Sequence, residues 1–299
     1  MLTETTKINN WLKSTDYNLG SFSVAKINAE MLPNEAAVGL AMFEELQTVV
    51  SEKSGDVVVV LLGGRGGQAL HKLLGAKAKT NEIDELLSKL HVFTQDALAP
   101  LRMNNSLSFV RDFERLLGEN FFQKVKSFTP MQTETDDLES EMQRLIAKYN
   151  ELGGIDLLYL GLGPEAENAS HLCYIKPNSG AKLNDLAGVI PISESILEHH
   201  ISKFKAGGSV ISTEDEAECR NAKFILTLGP AAILSAQRIV QSIVDASTAP
   251  AKIACYDKFL YTELSENLEE RAKQLDANPG LWLRLHNNLR SLILPDVLA

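Results

Sequence analysis

Residues 57–62 read VVVVLL and residues 63–67 read GGRGG. Four valines and two leucines in a row leave no polar face to turn toward water. Such a strand is covered on both sides, as in a parallel sheet with helices on each face. Leu70, Leu73 and Leu74 follow at helical spacing, so the chain passes from strand through glycine turn into helix. The unit repeats. Residues 90–94, 155–162, 224–228 and 251–256 are further short apolar runs. Helical periodicity lies between them at 34–50, where Asn34 caps a face of Val38, Met42, Leu46 and Val49, and again at 106–117, 137–152 and from Ala231 onward. Residues 95–105 read as a loop, 4–14 as a short amphipathic helix and 22–27 as a short strand.

Strands alternating with helices predict an α/β fold: three layers, with a mainly parallel sheet flanked by helices. Residues 31–299 are expected to form one domain and residues 1–30 an extension packed on it. In open sheets of this kind ligands lie beyond the carboxyl ends of the strands. The predicted site is therefore built from the loops after Leu62, Thr94, Leu162 and Leu228.

Composition narrows the function classes. A net charge of −10 is a poor match for nucleic acid, which needs clustered Lys and Arg. Three widely spaced cysteines, Cys173, Cys219 and Cys255, give neither a disulfide framework nor a C-x-x-C zinc pattern, and suit a reducing cytoplasm. No apolar run approaches the roughly 20 residues of a membrane helix, and the first ten residues lack the pattern of a signal peptide.

The glycine turn carries the strongest chemical signal. Gly63, Gly64, Gly66 and Gly67 allow a close backbone approach to a ligand. The helix behind them presents unpaired amides and the positive end of its dipole, which suits an anion. Arg65 adds a cation shaped for bidentate phosphate contact. The bland alternative is a tight turn with a solvated arginine. Neither a Gly-Lys-Ser/Thr sequence nor G-x-G-x-x-G is present, so a small phosphorylated molecule is expected rather than a nucleotide.

Several segments, in order, resemble the glucosamine-6-phosphate isomerase (deaminase) and 6-phosphogluconolactonase family. LLGGRGGQAL at 61–70 stands where that family has its phosphate loop, and VFTQDALAPLRMNNSLSFV at 92–110 keeps Asp96 and Ser106. GLGPEAENAS at 161–170 is similar to the lactonase G-x-G-P-D-G-H-T-A-S, ILTLGPAAILSA at 225–236 to a deaminase pattern, and WLRLHNNLRSLIL to the C-terminal L-x-L-H-x-N.

The resemblance implies a small phosphorylated sugar as ligand, with no metal or redox cofactor, and leaves a homo-oligomer open. It places phosphate on Gly63–Gly67 and on a lysine after the fifth strand, for which Lys258 is the nearest candidate. It gives proton transfer to Asp96, Glu165 and Glu167, with Ser106, Gly163, His171 and Gly229 lining the pocket. In a deaminase-like reaction Asp96 moves a proton between sugar C1 and C2 and ammonia leaves. In a lactonase-like reaction a base near Glu167 activates water.

The chain departs from the family pattern where it matters most. Ala97 replaces a glutamate, and Glu165, Ala166 and Glu167 replace Asp-Gly-His. Glu167 would serve as a base only if desolvated, and His171, four residues on, is the other candidate. These losses also motivate a third reading, a sugar-phosphate sensor without turnover. The bland alternatives are a capping aspartate at 96 and a solvated loop at 165–167. His199 and His200 point about 100° apart on a helix and are expected at the surface. Thr213 and Glu216 stand at capping-box spacing before a solvated acidic helix. His71 is expected to pack on the sheet, and His286 to be structural.

Overall fold

The computed structural model describes residues 10–14 and 22–298. After strand β1 (Asn10–Lys13) the chain enters the main sheet at β2 (Ala29–Met31). It crosses by α1 (Glu35–Glu52) to β3 (Val57–Leu61), then by α2 (Gln68–Thr80) and the single turn α3 (Asp84–Leu87) to β4 (Leu90–Thr94). Strand β5 (Asp96–Ala99) leaves for a second sheet. Helix α4 (Phe109–Lys124) returns to β6 (Ser127–Thr129), and α5 (Leu138–Glu151) to β7 (Leu157–Leu160). A small hairpin, β8 (Gly163–Pro164) and β9 (Ser170–His171), precedes β10 (Asp185–Pro191), α6 (Glu194–Ala206), α7 (Thr213–Arg220) and β11 (Phe224–Leu228). Helix α8 (Pro230–Leu234) leads to β12 (Arg238–Ile243). Helices α9 (Ala251–Tyr261) and α10 (Leu268–Ala277) precede the last strand, β13 (Leu289–Ile293).

The middle layer is a seven-stranded parallel sheet in the order β2-β13-β12-β7-β3-β4-β6. Its central strands carry the unbroken apolar runs, and Val57 to Leu61 are all buried. Alternate residues feed two cores. Val57 and Val59 pack with α1, α2 and α4, through Met42, Leu46, Leu74 and Phe113. Val58 and Val60 pack with α5 and α9, through Met142, Leu145, Tyr256 and Phe259.

The second sheet, β1-β10-β11-β5, is antiparallel throughout. It shares the α5 core on one face and on the other holds Ile190, Leu98 and Ile225 against Ile196 and Phe204 of α6. No helix among the described residues is long and apolar enough to cross a membrane.

Several elements differ from the sequence expectation. Residues 251–256 form no strand but open α9, because Lys252, Cys255, Tyr256 and Phe259 are buried at a spacing of three and four. The strand that follows β7 in the parallel sheet is β12, the sixth in chain order, in a stretch whose periodicity reads as the continuation of a helix from Ala231. That helix ends at Leu234. Gln241 and Ser242 disguise the strand, since both are buried polar residues with partners: Ser291 donates to Gln241 (2.7 Å), and Ser242 to the Gly66 carbonyl (3.0 Å).

Residues 96–99 form a strand rather than a loop, paired with β11, so FILTL is antiparallel and not part of the main sheet. Near the N-terminus, residues 10–13 form strand β1 and 22–27 no regular element, while residues 4–9 lie outside the described region. Ser212, not Thr213, caps α7, accepting from the Asp215 amide (3.0 Å).

Candidate active site

A cleft opens at the carboxyl ends of β3, β4, β7 and β12. The loops after Leu62, Thr94 and Leu162 all reach it, as the parallel-sheet rule requires. The loop after Leu228 does not. The fourth contribution comes from Ser242, near the end of β12, and Asp245, just beyond it.

The glycine turn forms one wall through Gly63, Arg65 and Gly66. Gly64 has φ +74°, open to glycine and costly for other residues, and the Lys203 side chain runs 3.1 Å from where a β-carbon would stand. The turn's cation already has a partner. Arg65 makes a two-pronged ion pair with Glu35 on α1 (2.5 and 3.2 Å), which raises its pKa. Gly67 is buried beneath Leu62 and His71, behind the cleft. His71 itself is fully buried edge-on to Phe113 between α2 and α4, and burial pushes its pKa down to about 3.

Two lysines absent from the sequence-derived site face the cleft. Lys203, on α6, holds its ammonium 4.7 Å from the Tyr174 ring centre and 5.0 Å from that of Phe109. Desolvation lowers its pKa, opposed by the charge of Asp96. Lys252, on α9, is buried and bonded to Asp245 at 2.6 Å. It follows the parallel strand β12 in the chain. Lys258, one and a half helical turns on, reaches outward to the Glu167 carbonyl (3.1 Å) and does not line the cleft.

Asp96, 3% exposed, begins β5 two residues past the end of β4, and its Oδ1 has no hydrogen-bond partner among the described residues. Burial raises its pKa strongly, and Lys203 only partly counters this.

Across the cleft, the 163–171 hairpin sorts the two glutamates. Glu167 stands exposed at the tip with φ +56°, so it is not the desolvated base the sequence allowed. Glu165 turns inward. One of its oxygens meets His171 Nδ1 (2.9 Å) and the other accepts from Ser195 Oγ (2.7 Å). A carboxylate on Nδ1 fixes the proton there and leaves Nε2 as a lone pair. Burial lowers the His171 pKa, with Glu165 opposing, and burial likewise opposes the lowering of Glu165 by His171. The imidazole lies directly over Gly163, where any β-carbon would overlap the ring.

His199 and His200 are not surface residues. His200 is 1% exposed, with Nδ1 meeting Tyr174 OH and Nε2 the Leu107 carbonyl, both at 2.7 Å. His199 faces the cleft, its ring centre 5.7 Å from that of His171. Desolvation and the nearby cations Lys203 and Lys252 push its pKa far below the usual range. No cluster of His, Cys, Asp or Glu among the described residues is arranged to hold a metal.

Ser106 lies away from the cleft, its amide directed at Asp215 (3.4 Å). Gly229 backs onto the Asp185 carbonyl, which leaves no room for a side chain. His286 bonds the Ala236 carbonyl (2.8 Å) in a structural position.

Fold and cleft define a class: a three-layer α/β protein with cations, a buried carboxyl and a carboxylate-backed imidazole gathered at the ends of its parallel strands. No protein-family model and no curated protein matches the chain in sequence. Solved structures do. It is similar to a monomeric glucosamine-6-phosphate deaminase, with TM-score 0.67 and 19% identity over 91% of this chain and 98% of the other. The 6-phosphogluconolactonase of Trypanosoma brucei gives 0.64 and 15% over 93% and 100%, and that of Shewanella baltica 0.63 and 15% over 91% and 99%. At these identities the likeness establishes the fold. The chain has the three-layer α/β fold of glucosamine-6-phosphate deaminase and the 6-phosphogluconolactonases, in a divergent sequence.

Proposed function

We propose that the chain acts on a hexose 6-phosphate by proton transfer, as an aldose–ketose isomerase that releases ammonia from an amino sugar. The observation that carries this reading is the presence of two separate proton-handling groups in one cleft. Asp96 is buried with a free carboxyl oxygen, and His171 is backed by Glu165 with Nε2 unbonded. Opening a sugar ring needs a proton moved between the C1 hydroxyl and the ring oxygen. Converting the open chain needs another moved between C2 and C1. His171 is assigned the first transfer and Asp96 the second.

The phosphate is assigned to the turn at Gly63, Gly64 and Gly66, with Lys203 and Lys252 as its cations and Arg65 in support. Lys252 replaces Lys258 in this assignment, because it follows β12 and faces the cleft. The similar structures are of proteins named for glucosamine 6-phosphate and 6-phosphogluconolactone, which favours a phosphosugar over other anions.

Lactone hydrolysis is the second reading. It is favoured by His171 alone, since a carboxylate-backed imidazole suits the activation of water, but it gives Asp96 no proton to carry. Incubation with glucosamine 6-phosphate and with 6-phosphoglucono-lactone separates the two: ammonia with a ketose phosphate in one case, acid release in the other. Thermal stabilisation by the sugar phosphates without turnover of either would support the sensor reading. A ligand at about 100 times its Kd adds roughly 2.7 kcal/mol, a shift of several degrees for a chain this size. No shift with any sugar phosphate or with free phosphate would sink the assignment.

A further inference from the structure

Helix α6 carries Ser195, His199 and Lys203 at a spacing of four, and the last two line the cleft. Residues four apart on a helix share a face, and each of these touches a different part of the site. Ser195 holds Glu165, the carboxylate behind His171. Lys203 lies against the glycine turn at Gly64, between the rings of Phe109 and Tyr174. His199 sits between the two, its ring edge-on to that of His171.

The neighbours of His199 all have work within the protein. His171 is bonded to Glu165, and His200 is bonded at both nitrogens. The His199 ring has no hydrogen bond among the described residues, yet it lines the cleft. With Lys203 and Lys252 nearby and little water around it, the imidazole stays neutral. A neutral imidazole carries one donor and one acceptor. That pairing matches a sugar hydroxyl, which also donates and accepts. It does not match phosphate, which the lysines serve better.

We propose that His199 hydrogen-bonds a hydroxyl of the sugar itself, midway between the phosphate end at Lys203 and the proton-transfer end at His171, and so sets which phosphosugar the cleft accepts. This rests on the sugar-phosphate reading above. The geometry assigns it to specificity and not to the proton transfers, which Asp96 and His171 carry.

Calorimetric titration of the full chain with glucosamine 6-phosphate, glucose 6-phosphate and inorganic phosphate tests it, using wild type, His199→Ala and His199→Gln. The expected result is a loss of about tenfold in sugar-phosphate affinity in His199→Ala, in line with one lost hydrogen bond. Inorganic phosphate should bind as in wild type, and His199→Gln, which keeps a donor and an acceptor, should recover part of the loss. Equal weakening of phosphate and sugar phosphate would overturn the proposal, by making His199 part of the anion site or of the scaffold. Unchanged affinity for all three ligands would overturn it too, while leaving the sugar-phosphate reading intact. Wild type that binds inorganic phosphate but no sugar phosphate would remove that reading and this proposal together.

Discussion

The glycine turn and the face of α6 both border the cleft, but they bring opposite resources. The turn is conspicuous in sequence, with four glycines around an arginine, yet Glu35 holds Arg65. Helix α6 carries no motif, yet it supplies a lysine set between two aromatic rings and an unbonded imidazole. The turn shapes the cleft, and the helix provides groups still free to act on a ligand. A cation held by an internal carboxylate has less to offer a phosphate than one held only by ring faces.

The largest effect belongs to the end of the helix face where Ser195 and Glu165 hold the imidazole. His171→Ala should lower kcat by about 10² to 10⁴-fold, with sugar-phosphate binding largely kept, whereas Glu167→Ala should leave both unchanged. Steady-state kinetics on whichever phosphosugar is turned over would show it. Equal losses in the two variants would return the catalytic role to the hairpin tip.

Next comes the comparison of the two cations. Lys203→Met should weaken inorganic phosphate at least tenfold, and Arg65→Ala only a few-fold, since charged hydrogen bonds contribute about 1.5–3 kcal/mol when not already satisfied. The reverse order in a calorimetric titration would restore the turn as the principal anion site.

Asp96 gives a third test through pH. Its folded pKa is raised by burial above the ordinary value of 3.8. The native state therefore holds this proton more tightly than the unfolded chain. The resulting stabilisation is complete below that ordinary value and is lost as pH rises through the elevated one. Asp96→Asn lacks this loss, so its melting temperature relative to wild type should climb by a few degrees between pH 4 and pH 8. A difference that stays flat with pH would mean that the carboxyl is not desolvated. Turnover should show the matching pattern: an acid limb above the usual aspartate range and an alkaline limb below the usual lysine range, as Lys203 loses its proton.

The smallest effect sharpens the comparison most directly. Glu35→Gln frees Arg65, and phosphate should then bind a few-fold tighter, because a half-exposed ion pair contributes only about 0–1 kcal/mol. Weaker binding would show instead that Glu35 positions Arg65 for the ligand.

Much of the fold was legible in the sequence because buried parallel strands are written as unbroken apolar runs. Val57 to Leu61 and Leu90 to Thr94 could hardly be anything else. Strand β12 was not legible, because Gln241 and Ser242 are polar residues whose partners, Ser291 and the Gly66 carbonyl, come from distant segments. The same ambiguity displaces the lysine: a strand at 251–256 points to Lys258 as the residue that follows it, whereas the lysine in the cleft is Lys252.

Asp96 could be found because it stands just past the end of a buried strand. His199 and Lys203 lie on a helix that runs over the second sheet, and nothing local in the sequence says which of its faces meets the cleft. A spacing of four linking serine, histidine and lysine was the signal available, and it gains meaning only once the hairpin carrying Glu165 is seen to fold back onto it.

One close approach ties two positions together. The imidazole of His171 fills the space in which position 163 would carry a side chain. Any β-carbon at 163 would push the ring off its seat and away from Glu165. The constraint runs one way: a small residue at 171 would release position 163, whereas glycine at 163 asks nothing of 171.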